Sequence, residues 1–122
     1  MPIYATVLND KVKEIGSRVW MHAQNTADAI YFLLQHGASG EEYNIIGFDE
    51  YNLIELGDMI AGIIGRPLIK TFVGFYGMRP GHDRRYALDG SKMKALGWNP
   101  PANFKESLEK TVRFTVEHPN WM

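Results

Sequence analysis

The sequence contains no cysteine, so disulfides and thiolate metal sites are both excluded, and a reducing compartment fits. No apolar run approaches the length needed to cross a bilayer. Met1 to Asp10 shows no basic region followed by an apolar one, the pattern of a secretory leader. A formal net charge of −1 gives no general pull toward nucleic acid or an anionic membrane, so any anion site must be local. Gly-x-Gly-x-x-Gly is missing, and with it the dinucleotide fingerprint. Ser17, Ser39, Ser91 and Ser107 lack the strained Gly-x-Ser-x-Gly setting of an activated nucleophile. Tyr31 is followed four residues later by Gln35 and Tyr51 by Glu55, so neither has a lysine one helical turn on. His22, His36, His82 and His118 are scattered, without a second metal ligand at short spacing. The expectation is a cytoplasmic protein with no metal and neither nucleic acid nor membrane as a partner.

What remains is ordinary globular material. The 122 residues are 45% hydrophobic and 22% charged, which predicts a single domain over 1–122 with a modest core. The chemistry is concentrated in Arg79-Pro80-Gly81-His82-Asp83-Arg84-Arg85-Tyr86. Pro80-Gly81 marks a turn. Guanidinium groups on a turn suit an anion with several oxygens, such as a phosphate or diphosphate. On charge alone the same stretch also reads as a solvated loop in which Asp83 partly neutralises its neighbours.

Local patterns predict an α+β chain of about four helices and several short strands. Pro2–Leu8 reads as a strand, Asn9-Asp10-Lys11 as a turn, and Val12–Met21 as a returning strand broken at Gly16-Ser17. Asn25-Thr26 reads as an N-cap with Asp28 in the first turn. Ala29, Ile30, Leu33 and Leu34 form the apolar face of that helix, and Gly37 its stop. Tyr43–Ile46 reads as a short strand. Asn52 and Glu55 form a capping box for a helix whose apolar face is Leu53, Leu56, Met59, Ile60 and Ile63, ending at Gly65 before Pro67. Leu68–Phe75 and Arg85–Leu88 read as strands. A short helix capped by Asp89 stops at Gly97, and a last helix spans Phe104–Glu117. Trp20, two residues beyond Arg18 on one strand face, suits core packing or a ligand platform.

Taken in order, these landmarks resemble a known family. Arg18-x-Trp20, Gly40-Glu41-x-Tyr43-Asn44-Ile45 and Glu50-x-Asn52-Leu53 are followed by Arg79-Pro80-Gly81-His82-Asp83-Arg84-Arg85-Tyr86-Ala87-x-Asp89-x-x-Lys92 and Gly97-Trp98-x-Pro100. The sequence is similar to the C-terminal part of the dTDP-glucose 4,6-dehydratases, extended short-chain dehydrogenases of the NAD-dependent epimerase/dehydratase family. The resemblance covers nearly the whole chain from Arg18 onward. It departs in a longer spacing between Tyr4 and Arg18, in Val19 where an acidic residue is usual, and in Ile46 where a glycine is usual.

The resemblance implies the small substrate-binding domain of such an enzyme, closing over a nucleotide sugar. It implies that Arg18 and Arg79 hold the diphosphate, that Asn52 and His82 contact the nucleotide or phosphate region, and that Tyr4 lies near the nucleoside. The Rossmann half, with its NAD and catalytic groups, has no counterpart in these 122 residues. Three readings follow: a weakly binding nucleotide-sugar domain that is not catalytic alone, a subunit completed by a separate Rossmann chain that brings NAD, or a self-associating interaction module, expected as a homodimer, that has lost its ligand.

Overall fold

The computed structural model describes residues 1–8, 11–74 and 83–121. Two small sheets and four α-helices make up the described fold, an α+β arrangement as expected. The first sheet has β1 (Pro2–Leu8) in the centre. On one side β2 (Lys11–Ile15) runs antiparallel to it, and on the other β5 (Thr71–Gly74) runs parallel. Strand alternation puts Ile3 and Ala5 on one face of β1, both fully buried, and Tyr4 and Thr6 on the other. Thr6 faces Glu14 across the hairpin, and the register slips between Thr6 and Val7.

Gly16 separates β2 from β3 (Ser17–Trp20), so the returning strand belongs to two sheets. In the second sheet β3 is central, antiparallel to β4 (Asp49–Asn52) and parallel to β6 (Arg85–Tyr86). Its register opposes Arg18 to Tyr51 on one side and to Tyr86 on the other.

The helices differ from expectation mostly at their ends. α1 spans Ala23–His36 and is capped by His22, whose Nδ1 accepts the Gln24 N–H at 3.1 Å. Asn25 is not the cap. It is buried in the first turn and exchanges two 2.9 Å hydrogen bonds with the backbone of Ala102. Asp28 likewise serves a long-range contact, accepting from Trp98 Nε1 at 2.8 Å. The expected apolar face splits: Ala29 is buried and Leu33 packs beside it, whereas Ile30 and Leu34 lie exposed together with Tyr31. Gly37 ends α1 with extended backbone, not a left-handed turn. Its glycine is required because a Cβ there would meet the Leu33 carbonyl oxygen at 2.6 Å.

α2 (Leu53–Ile64) has the capping box read from the sequence, and its left-handed Gly65 (φ 73°) closes it onto the carbonyls of Ala61 and Gly62. α3 is short (Ser91–Ala95), with Asp89 accepting the Ser91 N–H at 2.8 Å. α4 spans Phe104–Glu117 as expected. Its N-cap is Asn103, which the sequence reading missed behind Pro100-Pro101. α2 and α4 pack against each other. The helical core gathers around Ala29, Met93 and Trp98, with Met21, Phe32, Leu33, Tyr43 and Ile45 packed on it.

Tyr43–Ile46 is not a strand. Tyr43 and Ile45 pack on the core cluster, and side-chain bonds tie the segment and the residues just before it to α3 and the turn that precedes it. Lys92 donates to the Glu41 carboxylate at 2.5 Å and to the Glu42 carbonyl at 2.8 Å, lies 4.5 Å from the Tyr43 ring, and Asn44 Nδ2 donates to the Asp89 carbonyl at 3.0 Å. These contacts explain why Glu41, Tyr43, Asn44, Asp89 and Lys92 occur together.

Candidate functional site

The second sheet carries charged residues on both faces. Alternation puts Arg18, Trp20, Asp49, Tyr51 and Tyr86 on one face, and Ser17, Val19, Glu50, Asn52 and Arg85 on the other. On the second face Glu50 grips Arg85 through two 2.7 Å bonds and accepts the Ser17 hydroxyl at 2.6 Å. The hydrogen bonds from Arg85 and then Ser17 hold the Glu50 carboxyl down to about 2. Arg85 is thus committed to its own sheet.

The first face carries the candidate anion site. Arg18 Nη1 donates to the Ser17 carbonyl at 2.6 Å and to the Arg84 carbonyl at 3.3 Å, while Nη2 reaches the Asp83 carbonyl at 3.5 Å. Its guanidinium lies 4.2 Å from the centre of the Tyr86 ring. The Ser17 N–H adds a 2.9 Å bond to the same Arg84 carbonyl. The approach to β6 is therefore fastened to β3 by a cation, and that cation is held in place before any ligand arrives. Asp83 accepts from the Tyr86 phenol, and this bond, with the carboxylate's charge, pushes the phenol above its usual value against the pull of Arg18.

Of the expected site residues, Arg18 is half-buried where β3 meets β6. Asn52 is the last residue of β4, opposite Ser17 and therefore on the other face of the sheet from Arg18. Its Oδ1 is already used, accepting the N–H groups of Ile54 at 2.9 Å and Glu55 at 3.0 Å. Leu53 N–H goes to the Gly16 carbonyl at 3.2 Å. The N-terminus of α2 therefore has little to offer a ligand, because the capping box and Gly16 take its first three N–H groups. What Asn52 can offer a ligand is the Nδ2 amide. Tyr4 belongs to the first sheet, on the face that also carries Thr6 and Glu14. Arg79 and His82 lie outside the described residues.

Glu14 was not singled out from the sequence. Its carboxylate pairs with the Arg84 guanidinium, and Thr6 Oγ1 donates to it at 3.5 Å. Glu14 therefore links the hairpin of the first sheet to the arginine-rich segment beside the second. Tyr86 was also missed as a partner of Arg18. Its even spacing from Arg84 was the available signal, but the strand pairing that makes it useful is long-range. Trp20 donates Nε1 to the Tyr51 carbonyl at 3.1 Å and lines a cleft of about 280 Å³ with Met21, His22, Phe48, Asp49 and Phe104. Trp20 is therefore tied to its sheet and half-exposed beside this cleft, outside the buried core around Ala29, Met93 and Trp98.

Comparison with known proteins settles the lineage. Residues 11–111 match the family described as GDP-mannose 4,6 dehydratase. The chain belongs to that family. dTDP-glucose 4,6-dehydratase 1 of Escherichia coli K12 is 32% identical over 128 aligned positions, covering 100% of this chain and 34% of the relative. The dTDP-glucose 4,6-dehydratase of Streptomyces venezuelae, solved with NAD bound, superimposes with a TM-score of 0.81 at 31% identity over 99% of this chain and 35% of its own. The Bacillus anthracis enzyme, in complex with NAD, gives 0.79 at 30% identity over 98% and 35%. The resemblance read from the motifs is thereby shown, and with it the extended short-chain dehydrogenase fold. The chain spans about a third of the length of the curated relatives it matches.

Proposed function

We propose that this chain is a nucleotide-sugar-binding domain of the dTDP-hexose type, the part of a 4,6-dehydratase that holds the diphosphate, and that it is not catalytic alone. The observation carrying this reading is Arg18. Its guanidinium is held by backbone carbonyls from β3 and from the segment before β6, over the Tyr86 ring. A cation fixed in advance spends little conformational entropy when it meets a diphosphate, and an arginine fork matches phosphoryl oxygens. Arg79 and His82 from the adjoining segment, Tyr4, and the Asn52 amide reaching round the end of β4 from the opposite face complete the proposed contacts. In this reading NAD and the dehydration chemistry belong to a Rossmann unit corresponding to the rest of the relatives' length, and Arg18 acts only by binding and orienting the substrate.

Calorimetric titration with dTDP-glucose tests the proposal. Weak binding, in the high micromolar to millimolar range, is expected of an open site with exposed charges. Absence of binding at millimolar ligand sinks it, and equal affinity for plain glucose removes the diphosphate from the account.

A second reading is favoured by α1, where Ile30, Tyr31 and Leu34 are 51%, 64% and 80% exposed on one face. Such a patch marks a surface meant to be covered. A Rossmann chain seated there would make this a subunit of a split dehydratase, whereas a second copy would make it a homodimer. Co-purification followed by assay for the 4-keto sugar supports the first. Sedimentation as a dimer that Leu34→Glu dissolves supports the second.

A further inference from the structure

Between Tyr4 and Arg18 the chain forms the antiparallel β1–β2 pair. The register of that pairing puts Glu14 opposite Thr6, on the face that also carries Tyr4. From there the Glu14 carboxylate reaches the guanidinium of Arg84, a residue whose own carbonyl is held by Arg18. Both side chains of the pair are about half exposed, at 47% and 51%. The carboxylate thus offers Arg84 the same partner that a phosphoryl group would, two oxygens for a guanidinium fork.

We propose that Glu14 is an internal counter-anion: it competes with phosphoryl oxygens for Arg84 and so sets how tightly this chain grips a diphosphate. The proposal rests on the anion-binding reading of this face but not on the identity of the sugar. Arg85, the neighbouring guanidinium, is locked by Glu50 and Ser17 through short bonds on the opposite face, so it is not the group in play. The Glu14–Arg84 pair differs in its support: beside Arg84 the Glu14 carboxylate has Thr6 Oγ1 at 3.5 Å, where Glu50 has the Ser17 hydroxyl at 2.6 Å, and both of its side chains are about half exposed. Exposed pairs of this kind are easily exchanged, because their Coulomb energy is small and solvent screens it. A ligand can therefore displace Glu14, at a cost in affinity of about two- to five-fold. The hairpin that carries Glu14 is tied into the sheet through β1, so the carboxylate stays in place as a permanent local competitor.

The test is calorimetric titration of inorganic pyrophosphate at low, fixed ionic strength. Wild type is compared with Glu14→Gln, with Arg84→Met and with the double variant. Glu117→Gln, at the far end of α4, removes the same unit of charge elsewhere and serves as the control. Glu14→Gln is expected to bind pyrophosphate about three-fold tighter. Glu117→Gln should match wild type, and the gain should vanish once Arg84 is methionine. Glu14→Asp, one methylene shorter, covers the case in which the glutamine variant misfolds, and it too should bind tighter. Unchanged or weaker binding in a folded Glu14 variant overturns the proposal, as does a gain that survives in the Arg84→Met background. dTDP-glucose titrated in parallel separates the two readings. A gain for pyrophosphate with no dTDP-glucose binding by any variant leaves the counter-anion standing and removes the nucleotide-sugar assignment.

Discussion

Asn25→Leu removes a pair of hydrogen bonds that joins two parts of the chain far apart in sequence. Asn25 is 3% exposed; its Nδ2 donates to the Ala102 carbonyl and its Oδ1 accepts the Ala102 N–H, each at 2.9 Å. Leucine fills a similar volume but leaves both backbone groups of Ala102 without their partner. Each lost bond is worth about 0.5–1.5 kcal/mol net, and a stranded buried polar group costs about 1–3 kcal/mol more. Ala102 is half-buried, so water recovers part of that penalty and the smaller end of the range applies. The sum is a destabilisation of about 2–4 kcal/mol, a sizeable share of the roughly 5–15 kcal/mol available to a domain. Urea unfolding followed by tryptophan fluorescence reads it as a fall in the midpoint with an unchanged slope. Asn25→Asp, which keeps the acceptor but gives up the amide donor and buries a charge, should fall at least as far. A change under about 0.5 kcal/mol in the leucine variant would refute the reasoning, because it would mean that solvent satisfies Ala102 as well as Asn25 does.

Other expectations are more local. The folded Glu50 carboxyl titrates at about 2, well below its ordinary 4.5. A depressed carboxylate contributes stability that is present above the unfolded value and lost as pH falls toward the folded one, so Glu50→Gln should flatten the decline in melting temperature between about pH 4.5 and pH 2. An acid limb identical to wild type would show that the Arg85 clamp does not persist in solution. Gly47→Ala should destabilise, because its Cβ would lie 2.4 Å from the Trp20 carbonyl oxygen, whereas Gly62→Ala, with open space around it in α2, should stabilise by up to about 1 kcal/mol. Equal melting temperatures for the two variants would contradict that contrast. Arg18→Lys keeps the charge but loses the fork, and should weaken dTDP-glucose binding about ten-fold in calorimetry; full retention would remove Arg18 from the site.

The sequence was most readable where one short stretch carries its own physical reason. The capping box of Asn52 and Glu55, the left-handed Gly65 and the Phe104–Glu117 helix all stand where local pattern put them, since each depends on residues within one or two turns. The misreadings share a cause. Asn25 has the residue type of a cap and Ala29–Leu34 the spacing of a buried face, but Ala102 claims the first. In the second, the cluster around Met93 and Trp98 claims Ala29 and Leu33 but leaves Ile30 and Leu34 outside. Tyr43–Ile46 has strand composition, but Tyr43 and Ile45 pack on the helical core and the Asn44 amide bonds to Asp89, and no ladder forms.

The candidate site divides in the same way. Arg18 and Asn52 were legible as polar residues set in motifs, and the order of those motifs named the family before any contact was known. Sequence alone thus determined the lineage, the helices with strong local signals and the kind of ligand to look for, because those rest on residue types and spacings along the chain. Tertiary structure decided which charge is spoken for. Only pairing between β3, β4 and β6 could show that Glu50 locks Arg85 and that Arg18 lies over Tyr86, and only the tertiary placement of the β1–β2 hairpin brings Glu14 onto Arg84. A charge's availability depends on which opposite charge folding brings beside it, and the chain positions involved here are tens of residues apart.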